Sequence, residues 1–223
     1  CYCRALSRDL GPHVRDRFVA KGLLPVRNYA PPGSDANDPM QLKGWDAMFE
    51  TTDRTAVERR AREEGFEPTW TPDGGLRLVS TQPVYRDHPV TGERAWHNHA
   101  TTFHSSQAAG AYATTVHVGT ALAEYERIAA FRPTERNRNL RAFAARVDEA
   151  ARARPSDERA MHTTHADGSE IAEADMDAVR DTVWKHMVAT PWQRGDVVAI
   201  DNHSVSHGRL PYEGPRKVVV CWA

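Results

Sequence analysis

Two residues near the end of the chain have the chemistry to bind a metal ion and a carboxylate. His207 is followed directly by Gly208, and Arg216 comes after the turn-forming segment LPYEGP. A neutral imidazole is the commonest metal ligand in proteins, and glycine lets a ligand approach the backbone closely. An arginine guanidinium binds a carboxylate through two parallel hydrogen bonds. The pattern therefore favours a metal centre that also binds a chelating keto acid.

Two apolar runs would hold these residues in place. Residues 191–202 are predicted to form a turn and then a strand, and residues 216–223 a second strand. Because neighbouring antiparallel strands lie about 4.8 Å apart, Arg216 on the returning strand can lie beside His207. An exposed charge at the start of a strand is the alternative interpretation of Arg216.

Clustered histidines offer further metal ligands. The chain has 11 histidines, and the clusters are His97, His99 and His104, then His162 and His165, then His203 and His207. A surface or hydrogen-bonded structural role is the alternative for most of them. His165 and Asp167 form a His-x-Asp pair, which is a second interpretation of the metal site. The dipeptide Asp167-Gly168 is, however, typical of a turn.

The rest of the chain mixes helical and strand patterns. Helices are predicted over 7–22, 53–65 (with Asp53 as the N-cap), 120–130, 135–154 and 172–190, and a strand over 74–81. There is no internal repeat and no clear linker. The pattern predicts one mixed α and β domain whose helices pack outside a β core.

Composition argues against several classes of protein. The net charge is −1 and basic residues alternate with acidic ones, so a nucleic-acid partner is not expected. The longest aliphatic runs, such as VVAI (197–200), fall far short of the ~18 apolar residues needed to span a membrane. Three cysteines cannot form a disulfide framework, which favours a reducing, cytoplasmic location.

The C-terminal block resembles a known enzyme family. The segment TPWQRGDVVAIDNHSVSHGRLPYEGPRKVVV (190–220) is similar to the end of the TauD/TfdA superfamily, and specifically to its SyrP-like branch. The segments VRNY (26–29), HPVTGERAWHN (88–98) and ADGSEI (166–171) resemble further blocks of that branch, in the same order. The similarity therefore spans almost the whole chain.

The resemblance implies a fold, a cofactor set and several site residues. The implied fold is a clavaminate synthase-like double-stranded β-helix, or jelly roll, with helical insertions. The implied cofactors are Fe(II), 2-oxoglutarate and O₂. His207 would be the distal histidine of a 2-His-1-carboxylate triad, and Arg216 would bind the far carboxylate of 2-oxoglutarate. The positions implied for the substrate pocket are Trp96, Asn98, His99 and Asn202.

The first two metal ligands of this family form a His-x-Asp/Glu pair just upstream of a strand that CYC (1–3) resembles. The chain opens with Cys1 rather than Met. We therefore expect residues 1–223 to be a single oxygenase domain without its N-terminal part. A missing segment near residues 3–4 is also expected.

SyrP-like kinship implies oxidation of an unactivated C–H bond in a small amino acid, or in an amino-acyl group held on a carrier protein, during natural-product biosynthesis. Hydroxylation, desaturation and cyclisation remain open, and so does assembly into a homo-oligomer. One alternative is an iron-free jelly-roll binding or scaffold domain. Another is a halogenase, if the upstream carboxylate is replaced.

Overall fold

The computed structural model describes residues 1–34, 42–104, 106, 146, 149–150, 153–155, 158–188, 192–208 and 217–221. Its helices are α1 (Cys3–Asp9), α2 (Pro12–Lys21), α3 (Trp45–Phe49), α4 (Arg54–Glu63), α5 (Ala100–Phe103) and α6 (Glu173–Lys185). Its strands are β1 (Leu24–Ala30), β2 (Leu42–Gly44), β3 (Glu67–Trp70), β4 (Leu76–Val79), β5 (Tyr85–Asp87), β6 (Arg94–Trp96) and β7 (Met161–Thr164). The predicted mixture of α and β structure is confirmed.

Local sequence signals place several helix boundaries. Asp53 is the N-cap of α4, and its Oδ1 accepts hydrogen bonds from the backbone N–H groups of Thr55 (2.9 Å) and Ala56 (3.3 Å). Gly22 ends α2 with a φ of 63°, in the region that favours glycine. The predicted helix over 7–22 is instead two helices, because Pro12 has no backbone N–H and begins a new helix at its first position.

A five-stranded sheet is built around β1. The order β2-β1-β4-β3 gives one path through this sheet, and β7 also pairs with β1. Strand β4 runs antiparallel along one edge of β1, while β7 pairs with residues 24–27 on the other edge. Strands β5 and β6 form a separate two-stranded sheet. The double-stranded β-helix stays a prediction.

Two apolar clusters make up the core. The first joins α1, α2, β6 and α6, and its largest fully buried side chains include Leu6, Leu10, Phe18 and Met176. The second lies under the five-stranded sheet, where α3 and α4 bury Trp45, Phe49, Val57 and Ala61 against Tyr29, Leu76 and Leu78. Helix α6, which lies within the predicted helix over 172–190, buries Met176 and Val179 completely.

The two strands predicted near the C-terminus are wrong wherever the structure describes them. Residues 197–200 and 217–221 are not strands, and Val197 and Val219 are 92% and 79% exposed. A strand needs a neighbour that completes its backbone hydrogen bonds and covers one face. Among the described residues neither segment has such a neighbour. The apolar pattern alone was therefore not enough to predict a strand.

Two predicted helices lie wholly or largely outside the described residues. The helix over 120–130 lies outside the described residues. The helix over 135–154 also lies largely outside them, although residues 146 and 149–150 are helical.

None of the helices that the structure describes has both the length and the apolar character to cross a membrane.

Candidate active site

The segment that carries His207 is hydrogen-bonded to the first residues of the chain. Cys1 and Ser206 exchange both backbone hydrogen bonds, at 3.0 and 3.1 Å, and the backbone N–H of Cys3 donates to the carbonyl of Ser204 at 2.9 Å. Tyr2 and Val205 form an antiparallel bridge between these bonds. Residues 1–3 and 204–206 therefore form a short antiparallel ladder, which ends one residue before His207.

His207 and Gly208 lie beyond this ladder and are exposed. A Cβ added at Gly208 would meet none of the described residues within 4 Å. Arg216 and the preceding residues 209–215 lie outside the described residues. The pairing of His207 with Arg216 therefore stays a prediction.

The turn before His207 is held by histidines that follow β5 and β6. The ring of His203 stacks on that of His97, with 5.8 Å between centroids, and lies 5.7 Å from that of His88. His88 Nε2 lies 2.9 Å from Asp201 Oδ2. Hydrogen bonds from Ser204 and then His88 lower the pKa of Asp201 to about 2, so this carboxylate is charged near neutral pH. Segments far apart in sequence thus meet beside the predicted iron ligand.

The predicted pocket residues lie in different environments. Trp96 is 4% exposed and packs edge-on against Phe18 in the core, with 5.3 Å between ring centroids. Asn98 donates to the carbonyl of Val84 at 2.9 Å and accepts from the N–H of Ala100 at 3.0 Å, which positions the start of α5. His99 and Asn202 are exposed. A pocket role for these four residues stays a prediction.

The second interpretation of the metal site, His165 with Asp167, finds structural partners instead. His165 is 1% exposed, lies 5.6 Å from the ring of Phe18, and approaches the carbonyl of Gly22 through Nδ1 at 3.3 Å. Asp167 accepts from the backbone N–H of Ser169 at 2.9 Å, as expected for the predicted turn. In the described part of the chain, this pair belongs to no group of three potential metal ligands.

A group of three potential metal ligands occurs elsewhere. His104 directly follows α5, His162 lies on β7, and Glu170 precedes α6. One ligand atom from each lies within 4.8 Å of the other two. Both histidines belong to the clusters seen in the sequence, whereas the sequence pattern gives no signal for Glu170 as a metal ligand. No regular spacing connects these residues, so the grouping depends on the contact between α5 and β7.

Burial changes the protonation of this histidine pair. His104 and His162 are 4% and 0% exposed, and their ring centroids lie 5.0 Å apart. Burial lowers the pKa of His104 to about 4 and also lowers that of His162, although the Glu170 carboxylate opposes the latter shift. Both rings are therefore neutral near pH 7, which is the form that binds metal ions.

Comparison with known proteins identifies the family. The model of the family described as "Taurine catabolism dioxygenase TauD, TfdA family" matches residues 2–222. The chain belongs to the TauD/TfdA family. The predicted resemblance is confirmed over nearly the whole chain, and members of this family use Fe(II), 2-oxoglutarate and O₂.

Two curated relatives agree with this assignment. A clavaminate synthase-like protein of Arabidopsis thaliana is 28% identical over 214 residues, which is 95% of this chain and 50% of the relative. The dapdiamide synthesis protein DdaC of Enterobacter agglomerans is 26% identical over 203 residues, or 91% of this chain and 49% of the relative. The chain thus spans about half the length of the curated relatives it matches.

Proposed function

We propose that this chain is part of an Fe(II)- and 2-oxoglutarate-dependent oxygenase with a jelly-roll core. It would oxidise an unactivated C–H bond of an amino acid or of a carrier-bound amino-acyl group. Family membership supports the reaction class. The similarity to the dapdiamide synthesis protein DdaC supports a role in a natural-product pathway.

The observation that carries the proposal is the ladder beside His207. Its pairs, Cys1 with Ser206 and Cys3 with Ser204, fix an antiparallel register. If the ladder continued by one residue, a residue before Cys1 would lie directly opposite His207. Cys1 and Ser206 form a hydrogen-bonded pair, and such pairs alternate with non-hydrogen-bonded pairs along an antiparallel ladder. The pair that includes His207 would therefore be non-hydrogen-bonded, with Cα atoms about 4.5 Å apart. A His-x-Asp/Glu pair just upstream would therefore lie within reach of the same metal ion.

The residues present fit an iron centre that draws one ligand from this chain. His207 supplies an exposed imidazole, and none of the described residues lies within 4 Å of where a side chain would begin at Gly208. Asp201, held by His88, anchors the turn that precedes His207. Arg216 would bind the distal carboxylate of 2-oxoglutarate. When bound, Fe(II) with 2-oxoglutarate and O₂ supplies the oxidant that breaks the C–H bond.

The test is an anaerobic titration of the full-length protein with Fe(II) and 2-oxoglutarate, followed by the visible metal-to-ligand charge-transfer band. His207→Ala should abolish the band. Arg216→Ala should weaken 2-oxoglutarate binding while iron binding remains. Arg59→Ala, on the exposed face of α4, is the matched control and should bind both as the wild type does. The assignment is wrong if the first two variants keep wild-type affinity for 2-oxoglutarate.

A further inference from the structure

The group formed by His104, His162 and Glu170 contains none of the residues assigned to the iron centre. It combines two imidazole nitrogens and one carboxylate oxygen, contributed by three separate elements. This combination of nitrogen and oxygen donors suits a divalent ion such as Zn²⁺.

The two ring nitrogens of the buried His104 have different surroundings. Its Nδ1 accepts a hydrogen bond from the backbone N–H of Ser106 at 3.3 Å and lies 2.8 Å from the Ser106 hydroxyl. Its Nε2 is buried and makes no hydrogen bond of normal geometry with the residues that the structure describes. A buried polar atom without a partner is costly, and such atoms are rare in folded proteins. To bind a metal ion through Nε2, the ring must carry its proton on Nδ1, which would then donate to the Ser106 hydroxyl 2.8 Å away instead of accepting from the Ser106 N–H.

The Nε2 atom of His162 lies close to both an acidic and a basic side chain. Its Nε2 lies 2.8 Å from Glu170 Oε2 and 3.3 Å from Arg159 Nη1. A single ring nitrogen cannot both donate a proton to a carboxylate and accept one from a guanidinium. A cation between the imidazole and the carboxylate would use the nitrogen lone pair and a carboxylate oxygen together.

We propose that His104, His162 and Glu170 bind a Zn²⁺ ion at a second site, separate from the iron centre. Ligand atoms about 2.0–2.1 Å from a tetrahedral ion lie roughly 3.4 Å from one another. The present separations of up to 4.8 Å need only small shifts to reach this geometry. The Glu170 side chain is 53% exposed, so it can move and also gives the ion a route from solvent. A water molecule would complete the coordination.

The surrounding charges limit the affinity of this site. The buried guanidinium of Arg180 donates to the Ser106 hydroxyl at 3.1 Å, and its charge disfavours a nearby cation. Asp177 offsets that charge through a 2.8 Å ion pair. The ion would connect the end of α5 to β7 and to the turn before α6. It would therefore act as a structural link between these elements.

The experiment measures Zn²⁺ binding to the full-length protein by equilibrium dialysis and metal analysis. His207→Ala is used as the background, because it removes the proposed iron centre. This variant should retain about one equivalent of Zn²⁺. Adding Glu170→Gln should weaken Zn²⁺ binding by about 100-fold or more. Loss of a residue that only hydrogen-bonds to a metal ligand already lowers metal affinity by up to about 100-fold, and loss of a ligand itself should lower it at least as much. Adding Glu64→Gln, an exposed glutamate after α4, is the matched control and should change nothing.

His104→Gln in the same background should have the same effect as Glu170→Gln, with far-ultraviolet circular dichroism confirming the fold. Because Glu170 is exposed, its variant remains informative even if the buried substitution unfolds the protein. The proposal is overturned if the background variant binds no Zn²⁺. It is also overturned if Glu170→Gln binds Zn²⁺ as tightly as the control.

Discussion

Replacing His104 with glutamine removes a buried titratable group, and the variant should resist mild acid better than the wild type. Burial lowers the pKa of His104 from 6.5 to about 4, the charges of His162 and Arg180 act in the same direction, and Glu170 opposes them. Because the folded pKa is the lower one, the unfolded chain binds more protons between these values. Neutral His104 therefore leaves the free energy of unfolding unaffected above pH 6.5, and this free energy falls as the pH decreases from 6.5 toward 4.

The size of the effect follows from the separation between the two pKa values. At about 1.4 kcal/mol for each pKa unit, a fall from 6.5 to about 4 corresponds to about 3 kcal/mol in total. Only part of this difference develops over a range that is convenient for measurement. Between pH 7 and pH 5, protonation of His104 should cost about 2 kcal/mol of unfolding free energy.

Urea unfolding at pH 7 and pH 5, with a chelator present, measures this difference. Burial also lowers the pKa of His162 and His97, and their protonation weakens wild type and variant alike. The loss of stability in His104→Gln should therefore be about 2 kcal/mol smaller than in the wild type. The exposed His13 gives the control substitution His13→Gln, which should keep the wild-type loss. Equal losses in wild type and His104→Gln would refute the reasoning.

Two further substitutions test the cap of α4 and the packing of α2 in the core. Asp53→Ala removes both side-chain hydrogen bonds at the start of α4 and should cost about 1 kcal/mol of unfolding free energy, whereas Asp53→Asn should stay near the wild type in the same urea titration. Phe18→Ala empties a fully buried position next to Trp96 and should cost about 3–5 kcal/mol and change the tryptophan fluorescence. Val19→Ala, at the next and exposed position of α2, should change stability by less than about 0.5 kcal/mol. An Asp53→Ala or Phe18→Ala variant as stable as the wild type would contradict these assignments.

The sequence by itself determined the family and the features that depend on neighbouring residues. Asp53 caps α4 because its carboxylate reaches the next N–H groups along the chain, and Gly22 ends α2 because it tolerates a positive φ. The motif around His207 was enough to predict the TauD/TfdA family, which the family match confirms. These features depend on neighbouring residues or on a sequence motif. They can therefore be predicted without knowing which distant segments are in contact.

Only the tertiary structure decided which segments meet. The apolar runs at 197–200 and 217–221 are not strands, because a strand depends on a neighbour that the sequence pattern does not specify. The ladder between residues 1–3 and 204–206 joins opposite ends of the chain. The group of His104, His162 and Glu170 likewise exists only because α5 packs against β7. Contacts between distant segments depend on how whole elements pack, and residue spacing along the chain does not encode that packing.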